Sequence, residues 1–85
     1  MSALKIKIKL IKLLEKISKK KIKKNLADLD FNYFDEGFID SLNFIKFVFD
    51  IEEYYNITFN QKDLLSKNFK KIEKLSIIIH KKIRK

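Results

Sequence analysis

Eighty-five residues suffice for one small core, and a buried catalytic cleft with its own substrate pocket is not expected at this size. The absence of cysteine excludes a disulfide framework and a thiol nucleophile, the single histidine excludes a histidine-based metal site, and no apolar run approaches a membrane span. The net charge of +9 points at first to nucleic acid or an anionic membrane, but residues 1–24 carry +9, residues 25–66 carry −7 and residues 67–85 carry +7.

The middle of the chain is therefore an acidic island between two basic ends, and the lysine runs read as solvated faces. With no proline and one glycine, a chain rich in Ile, Leu, Phe and Lys favours helices with short connections. Lysines interrupt the first apolar residues throughout, so no signal peptide is expected and the protein is expected to be cytoplasmic.

The first element is expected to be one helix from about Ala3 to Lys23. Ile6, Leu10, Leu13, Leu14 and Ile17 share a face at helical spacing, and Leu4, Ile8 and Ile11 form a second stripe with no evident partner. The basic run Lys19 to Lys24 suits the negative end of the helix dipole. Asn25 to Asp40 is a long acidic connection whose Leu26, Leu29, Phe31, Tyr33 and Phe34 are expected to pin it to the bundle. Gly37 supplies a backbone angle that other residues resist.

A second helix follows, capped by Asp40 or Ser41, with Ser41 in or next to its first turn. Phe44, Val48, Ile51 and Tyr55 are expected to form its core stripe, with Ile45 and Phe47 flanking. Asn56 ends it. Asn60 followed by Asp63 marks the start of a short helix at about residues 61–65. Ser66 to Phe69 reads as a link, and a last helix is expected over about 70–82 with Ile72, Leu75, Ile79 and Ile83 inward. The expected fold is a single all-α domain, a small four-helix bundle of three main helices and one short one, with a long first loop.

A serine at a helix N-terminus suits a phosphate, because free N–H groups and the positive end of the dipole both favour an anion. Ser41 is poorly equipped as a nucleophile in its own right, since the one imidazole, His80, lies in the last helix. No catalytic residue and no metal ligand is therefore assigned.

The tripeptide Asp40-Ser41-Leu42 has a context. Phe34-Asp35-Glu36-Gly37-Phe38-Ile39-Asp40-Ser41-Leu42, then Ile51-Glu52-Glu53-Tyr54-Tyr55-Asn56-Ile57, then Asp63-Leu64-Leu65 and Asn68-Phe69, follow one another in register with the expected helices. From about residue 26 to the C-terminus this set resembles the phosphopantetheine-dependent carrier proteins, which include acyl, peptidyl and D-alanyl carrier proteins. The resemblance implies an acyl-carrier-protein-like bundle that is not itself an enzyme. It implies that a phosphopantetheinyl transferase, using coenzyme A and Mg²⁺, attaches 4′-phosphopantetheine to Ser41, with Asp40 and Leu42 flanking it in the motif. The arm's thiol then carries an acyl or aminoacyl group as a thioester, which agrees with a chain lacking cysteine.

Two departures from the fatty-acid type stand out. Gly37 lies four residues before the serine rather than three, and Lys46 stands where that type commonly has an acid. The glycine spacing is more similar to D-alanyl carriers and to stand-alone carriers served by acyl- or aminoacyl-adenylating ligases, and both departures point away from ordinary fatty-acid synthesis. The expected partners are therefore the transferase, such a ligase and acyl-transferring enzymes, with no nucleic acid, and the carrier is expected to be a monomer. Asp35, Glu36, Asp40, Asp50, Glu52 and Glu53 should draw partners with basic surfaces. On the second helix, Leu42, Lys46, Phe49 and Glu53 form a row expected to face solvent and dock a partner. The other readings are a basic amphipathic module that binds anionic membrane or nucleic acid, and a degenerate carrier that is never modified.

Overall fold

In the computed structural model, which describes residues 3–22 and 29–83, the helical spacing of Ile6, Leu10, Leu13 and Leu14 is realised as helix α1, Ala3–Ser18, with those four residues buried. The expected run to Lys23 stops at Ser18 because Lys19 turns left-handed, with φ 60°, and its N–H donates to the Glu15 carbonyl at 2.8 Å. The Glu15 side chain then accepts the N–H of Ile22 at 2.8 Å, and Ile22 folds back into the core. Of the second stripe, Ile11 is half-buried against the core, Ile8 is half-buried and Leu4 is exposed. Leu26 and the rest of 23–28 lie outside the described residues.

The loop that follows is folded onto the bundle by its own side chains. Leu29, Phe31, Tyr33 and Ile39 are buried, and Phe34 and Phe38 pack half-buried beside them. Asn32 organises the turn, its Oδ1 accepting the N–H groups of Phe34 and Asp35 at 2.9 and 3.1 Å. Backbone bonds from Glu36 to Asn32 and from Phe38 to Tyr33 close it, and Gly37 takes φ 78° between them. That angle is open to glycine and strained for any residue with a Cβ. Tyr33 anchors the loop from inside: its buried hydroxyl donates to the Phe69 carbonyl at 2.6 Å, and its N–H donates to the Lys70 carbonyl at 3.0 Å. Burial pushes the ionisation of that phenol far up, so it is a permanent donor.

Helix α2, Ser41–Tyr55, starts from Asp40, whose carboxylate accepts the Asn43 N–H at 2.8 Å. Its inward face is turned from the expected one. Phe47 and Ile51 are fully buried, Phe44, Val48 and Tyr55 are half-buried, and Ile45 is 58 % exposed. The turn follows from the neighbours: α1 packs along this helix, and Tyr33 meets Phe47 edge-on at 5.5 Å between ring centroids. Asn56, left-handed at φ 55°, ends the helix.

The short helix α3, Gln61–Leu65, opens on a complete capping box in which Asn60 and Asp63 exchange side-chain-to-backbone bonds. Asp63 also pairs with Lys82 at 2.9 Å. Partial burial works against ionisation of this carboxyl, but the Lys82 hydrogen bond and charge, with the Asn60 N–H, prevail and hold it below its ordinary value. The expected link is a 3₁₀ turn, Lys67–Lys70, which places Phe69 between Phe44 and Phe59.

Helix α4, Ile72–Ile83, begins two residues later than expected because the carbonyl of Lys70 and the backbone of Lys71 are engaged by the loop at Tyr33 and Asn32. Ile72, Leu75, Ser76 and Ile79 are its buried residues and Ile83 is half-buried; Ser76 is satisfied by donating to the Glu73 carbonyl at 2.7 Å. The described residues thus form a small all-α bundle, with one isolated antiparallel bridge between Asn32 and Lys71.

Candidate functional site

Three constraints meet at the entry to α2. The Tyr33–Phe69 anchor fixes the loop, the Gly37 turn reverses it, and buried Ile39 leads the chain into the Asp40 cap. Ser41 is the first residue of α2 and is exposed, and the capping bond is made by Asp40, so the serine hydroxyl is not spent on the cap. The first turn of α2 contains no acidic residue. Its remaining N–H groups and the positive end of the helix dipole favour an anion beside Ser41, against the negative charge of the Asp40 carboxylate that already takes the Asn43 N–H.

Two rows leave this point along α2. Ser41, Ile45, Val48 and Glu52 follow i, i+4, i+7, i+11 spacing and lie on one face. With Phe44, Phe49 and Leu64, the last three of that row line an apolar groove of about 230 Å³. The second row, Leu42, Lys46, Phe49 and Glu53, is exposed at every position, with Leu42 at 80 % and Phe49 at 65 %. The structure thus brings Leu42, Lys46, Phe49 and Glu53 onto one solvent face that starts beside Ser41. Asp35 and Glu36 are exposed on the Gly37 turn that precedes it.

Glu52 differs from the role expected of it. Its carboxylate accepts the Phe59 N–H at 2.8 Å, so it holds the chain after α2 as well as edging the groove. The groove residues Ile45, Val48 and Leu64 are absent from the sequence-derived site. Their signal was the spacing from Ser41 itself, which puts Ile45 and Val48 one and two turns along the same face. His80, the one imidazole, stands on α4, away in the chain from the first turn of α2. Among the described residues no group of acidic and histidine side chains could hold a metal ion, and no helix is long and apolar enough to cross a membrane.

No curated protein and no solved structure matches the chain significantly. The model of the family described as a phosphopantetheine attachment site matches residues 9–76, a stretch from inside α1 to inside α4 that takes in the loop, the α2 entry and the 3₁₀ turn. The chain therefore belongs to the phosphopantetheine attachment site family, whose members carry 4′-phosphopantetheine.

Proposed function

We propose that the protein is a carrier whose 4′-phosphopantetheine is attached at Ser41, and that it passes acyl or aminoacyl groups between partner enzymes without catalysing a reaction itself. One observation carries this assignment: within the matched span, Ser41 is exposed at the start of a helix whose cap is completed by another side chain. The residues present fit a phosphodiester in that the first turn of α2 keeps N–H groups besides the Asn43 N–H taken by Asp40. The attached group supplies a thiol that holds cargo as a thioester. The chain's own part is to keep the attachment point at the end of a rigid helix and to present the surface that partners read, which raises the local concentration of cargo at each partner.

Two features favour a stand-alone carrier loaded by an adenylating ligase over the main carrier of fatty-acid synthesis: the four-residue spacing from Gly37 to Ser41, and Lys46 on the docking face. On this reading the row Leu42, Lys46, Phe49 and Glu53 docks the partner. Phe49→Ala then leaves stability within about 0.5 kcal/mol while loading or transfer slows, and Lys46→Glu changes which partner is accepted.

The test is intact-mass measurement after incubation with a phosphopantetheinyl transferase, coenzyme A and Mg²⁺. The wild-type chain gains one phosphopantetheine, whereas Ser41→Ala stays folded and unmodified. Modification that persists in Ser41→Ala moves the site elsewhere, and a wild-type chain that several transferases leave unmodified is a degenerate carrier.

A further inference from the structure

The modified end of the molecule carries charge of both signs. The last residues of α1 are brought against the entry to α2: Ile17, Ser18 and Lys20 share a cleft with Gly37, Asp40 and Asn43, and the Lys20 ammonium donates to the Gly37 carbonyl at 3.2 Å. Immediately beside it, Lys12, Lys16, Lys19, Lys20 and Lys21 line a shallow cleft of about 400 Å³ whose one acidic residue is Glu15. That carboxylate is already engaged by the Ile22 N–H. Among the described residues none of these five lysines is ion-paired. The left-handed Lys19 turns the basic run back beside the last turns of α1 instead of letting it continue away from them. Such a gathering of like charge is favourable only against a counter-charge, to which the carbonyl end of α1 and, in the cleft that Lys16 shares with them, Asp50 and Glu53 contribute in part.

We propose that this cleft docks an acidic surface patch of the phosphopantetheinyl transferase that modifies Ser41, so that the transferase contacts the basic end of α1 as well as the exposed row of α2. The proposal rests on the assignment of Ser41 as the attachment point. Lys12 and Lys19 stand about 10 Å apart along the helix, so the five ammonium groups spread over more length than one phosphate spans and match carboxylates spread over a protein surface. The cleft is lined by lysine and glutamate alone. It has no apolar anchor for a bilayer and no aromatic platform for nucleic-acid bases. The part of the lysine-rich N-terminal stretch that forms it is therefore a recognition surface, not a solvated face of no consequence.

The experiment compares loading of three full-length carriers by one transferase: wild type, Lys12→Glu/Lys16→Glu/Lys21→Glu in the cleft, and Lys67→Glu/Lys74→Glu/Lys81→Glu outside it. The two variants change net charge equally, and neither alters Lys20, which holds the loop. Thermal melts establish that each is folded; if the cleft variant is not, Lys→Gln triples replace both variants. At low salt the cleft variant should lose roughly tenfold or more in kcat/KM for the carrier, and the control less than about threefold, with the gap closing as salt rises. Equal losses, or no loss in the cleft variant, overturn the proposal. An effect confined to the KM for coenzyme A assigns the cleft to the coenzyme's phosphates and likewise overturns it. Wild-type chain that shows no mass gain with any of several transferases refutes the Ser41 assignment, and the proposal falls with it; a loaded wild type with an unaffected cleft variant refutes the proposal alone.

Discussion

At the end of α1, left-handed Lys19 donates its N–H to the Glu15 carbonyl, and the Glu15 carboxylate accepts the N–H of Ile22, which is buried. At the end of α2, left-handed Asn56 donates to the Glu52 carbonyl, and the Glu52 carboxylate accepts the N–H of Phe59, also buried. The spacing is the same in both: a glutamate, a left-handed residue four later, and a buried apolar residue seven later. Only the middle residue differs in kind. Asn tolerates the left-handed region, whereas Lys resists it by roughly 1–2 kcal/mol. The helix stop is thus set by the glutamate and by the apolar residue it helps to place, and the residue between them takes whatever angle they impose.

Three changes break or sharpen this comparison. The largest effect should come from the buried residue. Phe59→Ala should cost about 3–5 kcal/mol and Ile22→Ala about 2–3, the former being larger because Phe59 also meets Phe69 edge-on at 4.8 Å. Chemical denaturation of both variants checks it, and an Ile22→Ala protein as stable as wild type would mean that the first exit does not hold the chain. Next comes the acceptor. Glu52→Ala and Glu15→Ala each leave a part-buried N–H without its partner, at about 1–3 kcal/mol; hydrogen exchange at Phe59 and Ile22 should quicken in the respective variant. If the two glutamates differ by much more than that range, the exits are alike in shape but not in energy. The smallest effect separates the middle residues. Lys19→Gly should raise stability by up to about 1 kcal/mol, and Asn56→Gly should change it by a few tenths. A destabilised Lys19→Gly would show that the lysine side chain contributes more than its strained backbone costs.

The comparison also explains what could be read in advance. Asn56 and the Asn60–Asp63 pair announce the end of α2 and the start of α3, because Asn is common where a helix stops and because a capping box requires residues of this type three apart. Lys19 announces nothing: a lysine inside a basic run reads as more helix, and the stop became visible only with Ile22 in the core. Asp40 and Ser41 were legible as a helix entry from local chemistry alone. The turn of α2 was not, since Phe44, Ile45, Phe47, Val48, Phe49 and Ile51 put apolar surface on most of its circumference. Which of these residues point inward was decided by Tyr33 and α1, neither of which is near in sequence. The placement of Lys12 to Lys21 beside Asp40 is likewise a tertiary fact, invisible to any count of charge along the chain.

The anchors of the loop also set an order of events during synthesis. Tyr33 is held by the carbonyls of Phe69 and Lys70, and the Leu29 carbonyl accepts the N–H of Glu73. A growing chain that has exposed Ser41 but not yet Glu73 has the serine without the scaffold that presents it. An enzyme that recognises the folded entry to α2 must therefore wait until Glu73, more than thirty residues beyond the serine, has left the ribosome. On the proposed assignment, timing alone then keeps chains that have not yet reached Glu73 from being modified.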